Sequence, residues 1–235
     1  MLSRGNSANK VDDWLHTADL LLLGGDVDEA LAMLRLAQAA APDDPEPYFR
    51  AAEILIAQGE REALAEAVQH LRAAAARGMA SAELFFLQMR ASYELGDLMA
   101  AQQAYDAAVT HHPHDARLRE WGPRLALAAG KVQHALTLIR LERQAAPESA
   151  DWLRWEAEVL YRAGELRAAY AAYSDLIANY MPPGLKAGDW AAPQWAAVLL
   201  ARAEVAHELG DEAGATIDRA RAAVLVPGEL ADAGS

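Results

Sequence analysis

Residues 96–113, GDLMAAQQAYDAAVTHHP, decide the fold of this chain, because residues 130–147, GKVQHALTLIRLERQAAP, repeat their pattern 34 residues later. In both stretches a glycine opens a short turn and an alanine stands five residues after it. A large apolar residue stands nine residues after the glycine, and a proline seventeen after it. A repeat of this length is typical of stacked helix pairs. The pattern predicts an elongated array in which each repeat packs on its neighbours.

The turn glycine recurs along the whole chain, at separations of 34, 37, 34, 34 and 46 residues. The six glycines are Gly25, Gly59, Gly96, Gly130, Gly164 and Gly210. The first long separation places three extra residues around 61–65, which predicts a lengthened turn between two helices. The second predicts an insert over residues 184–195 that contains Trp190 and Trp195. Because tryptophan seldom stays exposed, we expect both rings to pack on neighbouring repeats, or the insert to close over a binding groove.

Composition favours helices and argues against two classes of partner. Apolar residues make up 53% of the chain and aromatic residues only 7%, so alanine and leucine supply the core, and both favour helices. The net charge of −13 disfavours binding to nucleic acid or to anionic membranes. No apolar run approaches the length of a membrane span, and the polar start does not resemble a signal peptide. These features predict a cytoplasmic protein.

The repeats resemble the tetratricopeptide repeat, whose 34-residue pattern of Trp, Leu, Gly or Ala, Tyr, Ala, Phe, Ala and Pro describes two antiparallel helices and two tight turns. Matching positions include Trp14, Ala101, Tyr105 and Pro147. The resemblance implies an all-α fold, a right-handed α-solenoid of about six helix-turn-helix repeats over residues 11–229. The predicted repeats are 11–44, 45–81, 82–115, 116–149, 150–183 and 196–229, with the insert at 184–195 and polar tails at 1–10 and 230–235.

Two repeats depart from the pattern. In repeat four, Pro123 follows Gly122 inside the expected first helix, which predicts a kink or a late start there. In repeat six, the second helix carries polar residues among its alanines, which predicts a wettable outer face at the end of the array. These residues are Thr216, Asp218, Arg219 and Arg221. We expect the chain after residue 227 to be frayed.

The resemblance also implies that the first helix of each repeat lines a concave groove. Its inward positions in this sequence are rich in arginine and aromatic residues, the types that dominate protein–protein hot spots. The predicted groove residues are Phe49, Arg50, Phe86, Arg90, Tyr93, Trp121, Arg124, Arg154, Trp155, Tyr161 and Arg162. Guanidinium groups bind carboxylates and the rings bind apolar side chains, so the groove is expected to hold a peptide with both. In the alternative, Trp121 and Trp155 pack between repeats while arginines pair with Glu120 and Glu158 on their own helices.

Histidine clusters are the remaining candidates for chemistry. The residues His111, His112, His114 and Asp115 have types suited to metals, but their spacing matches no metal signature, so we expect a solvated helix end. Helical spacing also places His16 near Asp19 and His207 near Glu204, as polar residues on an exposed helix face commonly are. No phosphate loop or hydrolase motif is present. The sequence predicts neither catalysis nor a cofactor.

The predicted function is therefore a non-enzymatic scaffold that binds a peptide or partner protein in its groove. The mechanism is preorganisation, because stacked helices fix the binding side chains before the ligand arrives. Two alternatives remain open at this point. One is a self-association module that docks through the end of the array or through the insert, and the other is a regulatory subunit of a catalytic partner.

Overall fold

A computed structural model describes the backbone of residues 3–227 and the side chains from Lys10 to Pro227. Every regular element in this range is an α-helix, so the all-α prediction is confirmed. The helices of the described range are α1 (Ser3–Gly24), α2 (Val27–Ala40), α3 (Glu46–Gln58), α4 (Arg61–Ala76), α5 (Ala82–Leu95), α6 (Leu98–His111), α7 (Leu118–Ala128), α8 (Val132–Ala145), α9 (Ala150–Arg162), α10 (Leu166–Tyr180), α11 (Ala192–Glu208) and α12 (Glu212–Leu225). The predicted tail at 1–10 is mostly helical, since α1 begins at Ser3, and the predicted tail at 230–235 lies outside the described residues.

The helices form two compact units, residues 1–129 with α1 to α7 and residues 130–235 with α8 to α12. In the first unit α1 packs on α2, α3 on α4 and α5 on α6, and each pair also packs on the helix that follows it. Contacts between α3 and α5 bring the first helices of successive pairs together. In the second unit α8 packs on α9, α9 on α10, α10 on α11 and α11 on α12. Consecutive helix packing is the arrangement that the repeat predicts.

Gly96 and Asp97 form the turn between α5 and α6 and show how the repeated glycine turns are built. Gly96 adopts a φ of 83°, a left-handed conformation that favours glycine, and its N–H donates to the carbonyl of Tyr93 at 2.9 Å. The N–H of Asp97 donates to the carbonyl of Ser92 at 2.9 Å, which completes the end of α5. The Asp97 carboxylate then accepts from the N–H of Ala100 at 3.0 Å and caps α6. One dipeptide therefore ends one helix and begins the next.

The repeat alanines mark where helices approach most closely. The alanines five residues after the turn glycines have no exposed surface: Ala30, Ala101, Ala135, Ala169 and Ala215. Larger apolar side chains fill the space around them. Fully buried examples are Leu34, Leu71, Leu84 and Met89 in the first unit and Leu136, Ile139, Leu160, Leu176 and Leu199 in the second. The alanine positions that repeat in the sequence are thus buried positions in the core of the structure.

The extra residues of repeat two lengthen a helix and not a turn. The turn after α3 is short, because α3 ends at Gln58 and α4 begins at Arg61. Helix α4 has 16 residues, whereas α6 and α8 have 14 each. The predicted lengthened turn is therefore wrong. Residues 61–76 are mostly alanine, leucine and glutamate, which favour helix and so extend α4.

Helix α7 runs unbroken from Leu118 to Ala128 through Pro123. The late start expected at this proline is therefore wrong, and the kink stays a prediction. Proline costs the helix the N–H that would bond the carbonyl of Arg119, but Pro123 is buried along with Gly122 and Leu125. Packing of that apolar surface offsets the missing hydrogen bond.

The last helix only partly matches the predicted wettable face. Thr216 and Arg221 are exposed, but Asp218 is buried at 2% exposure because it binds Arg202 on α11. Two apolar residues of α12 face outward instead, Ile217 at 60% and Val224 at 69% exposure. The outer face of α12 is therefore mixed, and the predicted frayed end after residue 227 lies outside the described residues.

The predicted insert is shorter in the structure, because α11 begins at Ala192 and includes Trp195. We call residues 181–191, between α10 and α11, the connector. Trp195 is buried at 7% exposure, as expected. Trp190 is 91% exposed, so the expectation that both rings pack is wrong for this one.

Candidate functional site

Three predicted groove residues come together in the first unit and form what we call the aromatic cluster. Phe86 and Tyr93 lie seven residues apart on α5 and therefore share a helix face. Trp121 on α7 packs edge-on against both, with ring centroids 6.2 Å from Phe86 and 5.3 Å from Tyr93. All three side chains are half-buried. Such edge-to-face contacts hold the rings in a fixed geometry while leaving part of each accessible.

Two predicted arginines lie beside the aromatic cluster in loose ion pairs. Arg90 lies between Phe86 and Tyr93 in the sequence of α5, and its Nε is 3.7 Å from an oxygen of Glu94. Arg124 is three residues after Trp121 on α7, and its Nη2 is 3.3 Å from Glu120. Both pairs join residues four apart on one helix, and the pair between exposed Arg124 and Glu120 contributes only about 0.3–0.5 kcal/mol. Arg90 is half-buried, and its Nε makes no hydrogen bond to the described residues. We call Phe86, Arg90, Tyr93, Trp121 and Arg124 the α5–α7 face.

Arg117 is a further member of this region, which the resemblance places at an inward position of repeat four although it was not chosen as a binding residue. Its guanidinium lies 4.2 Å from the centre of the Phe86 ring and binds Asp115 at 2.7 Å as well as Glu83 on α5. The hydrogen bonds to Asp115 and Glu83 raise the pKa of Arg117 above its ordinary value. Glu83 and Arg117 are 34 residues apart, so opposite charges at equivalent positions of successive repeats were the available signal.

Arg50 is held more firmly than the arginines of the α5–α7 face. Its Nη1 binds Asp19 on α1 at 2.7 Å, and its Nε binds Glu46 at 2.8 Å. These hydrogen bonds, that to Glu46 first, raise the pKa of Arg50. The pair with Asp19 closes one side of a pocket of about 170 Å³ with apolar walls that include Leu22 and Ile54. Phe49, the neighbouring predicted residue, is half-buried against the core.

The predicted residues of the second unit are divided between contacts within α9 and one contact to α11. Arg154 pairs with Asp151 on its own helix at 2.9 Å. Trp155 stacks on Trp152, with centroids 5.6 Å apart and planes inclined by 25°. Trp152 was not among the predicted residues, although its spacing of three from Trp155 places both on one face.

Tyr161 provides the contact to α11. Its hydroxyl donates to Glu208 at 2.7 Å, and this hydrogen bond raises the pKa of Tyr161. Arg162 is exposed at the end of α9. Arg154, Tyr161 and Arg162 all lie near Tyr173, because each of them influences its pKa.

The histidine cluster packs onto α5. The His111 ring stacks on Phe85, with centroids 5.4 Å apart and planes inclined by 12°. Nε2 of His112 lies 2.7 Å from the carbonyl oxygen of Ala80. No group of three or more His, Cys, Asp or Glu in the described residues could hold a metal ion. His111 and His112 thus make contacts within the protein, so the expectation of a solvated helix end is only partly right.

The acid–base pairs suggested by helical spacing are replaced by other pairs. Asp19 binds Arg50. Nδ1 of His207 lies 2.6 Å from Glu212, while Glu204 binds Arg219 at 3.2 Å. These carboxylates serve as ion-pair partners, so neither predicted pair forms.

The comparisons with known proteins agree with this geometry. Residues 11–54 match the Tetratricopeptide repeat family. No curated protein matches the chain. Among the described helices, none combines the length and the apolar character that crossing a membrane requires.

Several solved structures share the fold. PilF of Pseudomonas aeruginosa is 20% identical over 96% of each chain, with a TM-score of 0.56. YrrB, described as a tetratricopeptide repeat protein with an unusual peptide-binding site, is 19% identical with a TM-score of 0.60, over 76% of this chain and 93% of its own. PilW, a type IV pilus biogenesis factor, is 17% identical with a TM-score of 0.58, over 94% and 95%. Identities this low establish the fold alone. Together with the match over residues 11–54, they show that this chain has the helix-pair fold of tetratricopeptide repeat proteins.

Proposed function

We propose that the chain is a non-enzymatic scaffold that binds a peptide segment of a partner protein on the α5–α7 face. The observation that carries the proposal is the aromatic cluster, in which Trp121 is held edge-on against Phe86 and Tyr93. Fixed, partly accessible rings lose little conformational freedom when they bind, so they suit an apolar side chain of the ligand.

The arginines of this face favour a ligand that also carries a carboxylate. Arg90 lies 3.7 Å from exposed Glu94, a contact that costs little to exchange for a ligand carboxylate, and Arg124 brings a second, exposed guanidinium to the same face. Arg50 is a poorer candidate because two carboxylates already bind it at 2.7 and 2.8 Å. This contrast narrows the predicted site from eleven residues to the α5–α7 face. The cytoplasmic location stays a prediction.

The test begins with peptides selected from a random library on the full chain, whose affinities are then measured by calorimetry. Replacing Tyr93 by alanine removes an anchor, and we expect binding to weaken about thirtyfold, the effect of a hot-spot residue. Arg124→Ala should lower the affinity for peptides that carry Asp or Glu and leave the affinity for neutral peptides unchanged. Circular dichroism establishes that each variant is folded.

A matched control is available on the same helix. Arg119 is an exposed arginine of α7 that lies five residues from Arg124 and therefore on a different face. Arg119→Ala should leave the affinity unchanged. The proposal is wrong if no peptide binds below about 100 μM, or if Tyr93→Ala binds as the natural chain does.

A further inference from the structure

The connector is an ordered loop that presents one large aromatic side chain. The N–H of Lys186 donates to the Asp189 carboxylate at 2.8 Å, and the N–H of Asp189 donates back to the carbonyl of Lys186 at 3.2 Å. The N–H of Ala192, the first residue of α11, donates to the carbonyl of Asp189 at 3.0 Å. Trp190 follows directly after this hydrogen-bonded turn. Its position is therefore defined by the backbone, although its side chain is 91% exposed.

An exposed tryptophan of this kind is a large apolar surface left in water. Trp190 has the highest exposure of the large apolar residues that are exposed in the described part of the chain. A tryptophan buries 150–250 Å² when it packs, and tryptophan is among the residue types enriched at the centres of protein interfaces. Because the loop is already ordered, binding through Trp190 costs little conformational entropy.

A pocket of about 380 Å³ lies beside the same connector. Its walls come from Met181, Pro182 and Pro183 of the connector and from Val224 and Leu225 of α12. Val224 stands at 69% exposure, so this wall is also left in water. The volume and the apolar walls suit a single aromatic side chain.

The charges around the pocket and the exposed ring are complementary. Arg221 lines the pocket. Its nearest carboxylate oxygen, on Asp218, is 3.7 Å away and already belongs to the pair that Asp218 makes with Arg202 at 2.7 Å. A guanidinium at the pocket wall favours the face of an indole. Asp189, next to Trp190, would bring a carboxylate to the same guanidinium.

We propose that two copies of this chain associate through this region, with Trp190 of each copy in the pocket of the other. The connector carries the ring and also lines the pocket together with α12, so one copy offers both parts of a two-fold contact in which each copy gives and receives one tryptophan. The occupant of the pocket is therefore a second copy of the chain. This surface lies wholly in the second unit and is independent of the α5–α7 face.

The test is sedimentation equilibrium of the full chain between about 1 and 500 μM. We expect the natural chain to dimerise with a micromolar Kd. Trp190→Ala removes the ring and Val224→Glu places a charge at the pocket, and each should weaken the dimer at least about tenfold. The matched control is Met99→Ala, which removes a 74% exposed apolar side chain of the first unit and should leave the Kd unchanged.

A mixture of the two variants gives a sharper result. The Val224→Glu copy keeps its ring and the Trp190→Ala copy keeps its pocket, so a mixed dimer regains one of the two contacts. We expect the mixture to associate more strongly than either variant alone. A natural chain that stays monomeric at 500 μM overturns the proposal, as does a dimer unaffected by Trp190→Ala. If Trp190→Ala dissociates the dimer while Val224→Glu does not, the ring binds elsewhere and the assigned pocket is wrong.

Discussion

The two units of this protein hold their helices together by different means. In the first unit the buried side chains form an apolar cluster of alanine, leucine, isoleucine, phenylalanine and methionine from α1 to α7. The second unit adds two buried carboxylates, Glu156 on α9 at 5% exposure and Asp218 on α12 at 2%. Among the described residues of the first unit, the buried polar residue is the uncharged Ser92.

Each buried carboxylate of the second unit joins two helices. Glu156 is bound by Arg140 at 2.7 Å and by Arg143 at 2.8 Å, which connects α9 to α8. Asp218 is bound by both Nε and Nη2 of Arg202 at 2.7 Å, which connects α12 to α11. Arg202 also contacts Ser174 on α10 at 3.2 Å.

The difference has a consequence for how each unit responds to substitution. An apolar core loses stability in proportion to the surface and volume removed. A buried ion pair contributes little net stability, but removing one partner leaves a buried charge uncompensated. The second unit should therefore be more sensitive to loss of a single charge, and the first to loss of a single methyl or methylene group.

The largest expected effect is that of Asp218→Ala, because it leaves the half-buried guanidinium of Arg202 without its main partner. We expect a loss of about 3–5 kcal/mol in the free energy of unfolding, measured in urea. Hydrogen exchange should accelerate in α11 and α12 and stay unchanged in α3 to α6.

Two variants check that the buried charge is the cause. Arg219→Ala breaks the exposed pair with Glu204 and should cost no more than about 0.5 kcal/mol. The double substitution Arg202→Met with Asp218→Leu should recover most of the stability, because the uncompensated charge is gone. A double variant as unstable as Asp218→Ala would contradict this account.

Leu84→Ala should produce the next largest effect, now in the first unit. Leu84 has no exposed surface, and its truncation should cost about 3 kcal/mol through lost burial and the cavity left behind. The loss should be the same at low and high salt, since no charge is involved. Leu36→Ala is the control, because Leu36 is 45% exposed. Equal losses for the two leucines would show that burial does not set the cost.

Substitution of the turn glycines should affect both units alike. Gly96 and Gly164 have φ values of 83° and 76°, and nothing stands within 4 Å of an added Cβ at either position. Replacement by alanine should therefore lower the free energy of unfolding by about 1 kcal/mol at each site, because alanine adopts the left-handed backbone conformation less readily than glycine. Thermal unfolding of the two variants measures this. A much larger loss in one unit would indicate that the turns differ in more than local conformation.

The smallest expected effect is a pH dependence in the first unit. Burial lowers the pKa of His70 below 6.5, despite a Glu66 oxygen at 3.6 Å, and the centroid of the Tyr48 ring lies 6.1 Å from that of the imidazole. As pH falls below 6.5, the unfolded chain takes up this proton before the folded chain does, so stability decreases until the folded pKa is reached. The effect fades as the pH rises above 6.5, because His70 is then neutral in both states.

The variant His70→Gln should remove that part of the pH dependence, measured as urea unfolding at pH 7.5 and 5.5. His114→Gln is the control, since His114 is exposed. If the natural chain and His70→Gln lose equal stability between the two pH values, His70 is not the titrating group.

The repeat pattern predicted the helices well because it is local. Gly96 and Asp97 define their turn through hydrogen bonds to residues a few positions away, so the turn can be predicted from the sequence. Helix α4 was predicted less well, because added residues fit a longer turn or a longer helix equally until propensity is weighed. Pro123 was misjudged because burial of its ring against the core is a tertiary effect.

The candidate site was predictable only in part. The pattern picked out Phe86, Tyr93 and Trp121, because inward positions of the repeat define a helix face. It did not predict that Arg50 is bound between two carboxylates, since its partner on α1 is 31 residues away. The sequence likewise did not predict that Trp190 is exposed, because tryptophan is expected to be buried wherever it occurs.

The sequence by itself determined the helices, their turns and the buried alanines, because each depends on residues close together in the chain. Only the tertiary structure decided which arginines are bound, that Asp218 is buried, and that of two tryptophans one is covered and one is not. These outcomes depend on which side chains meet across different helices, and the distance between such groups is set by packing.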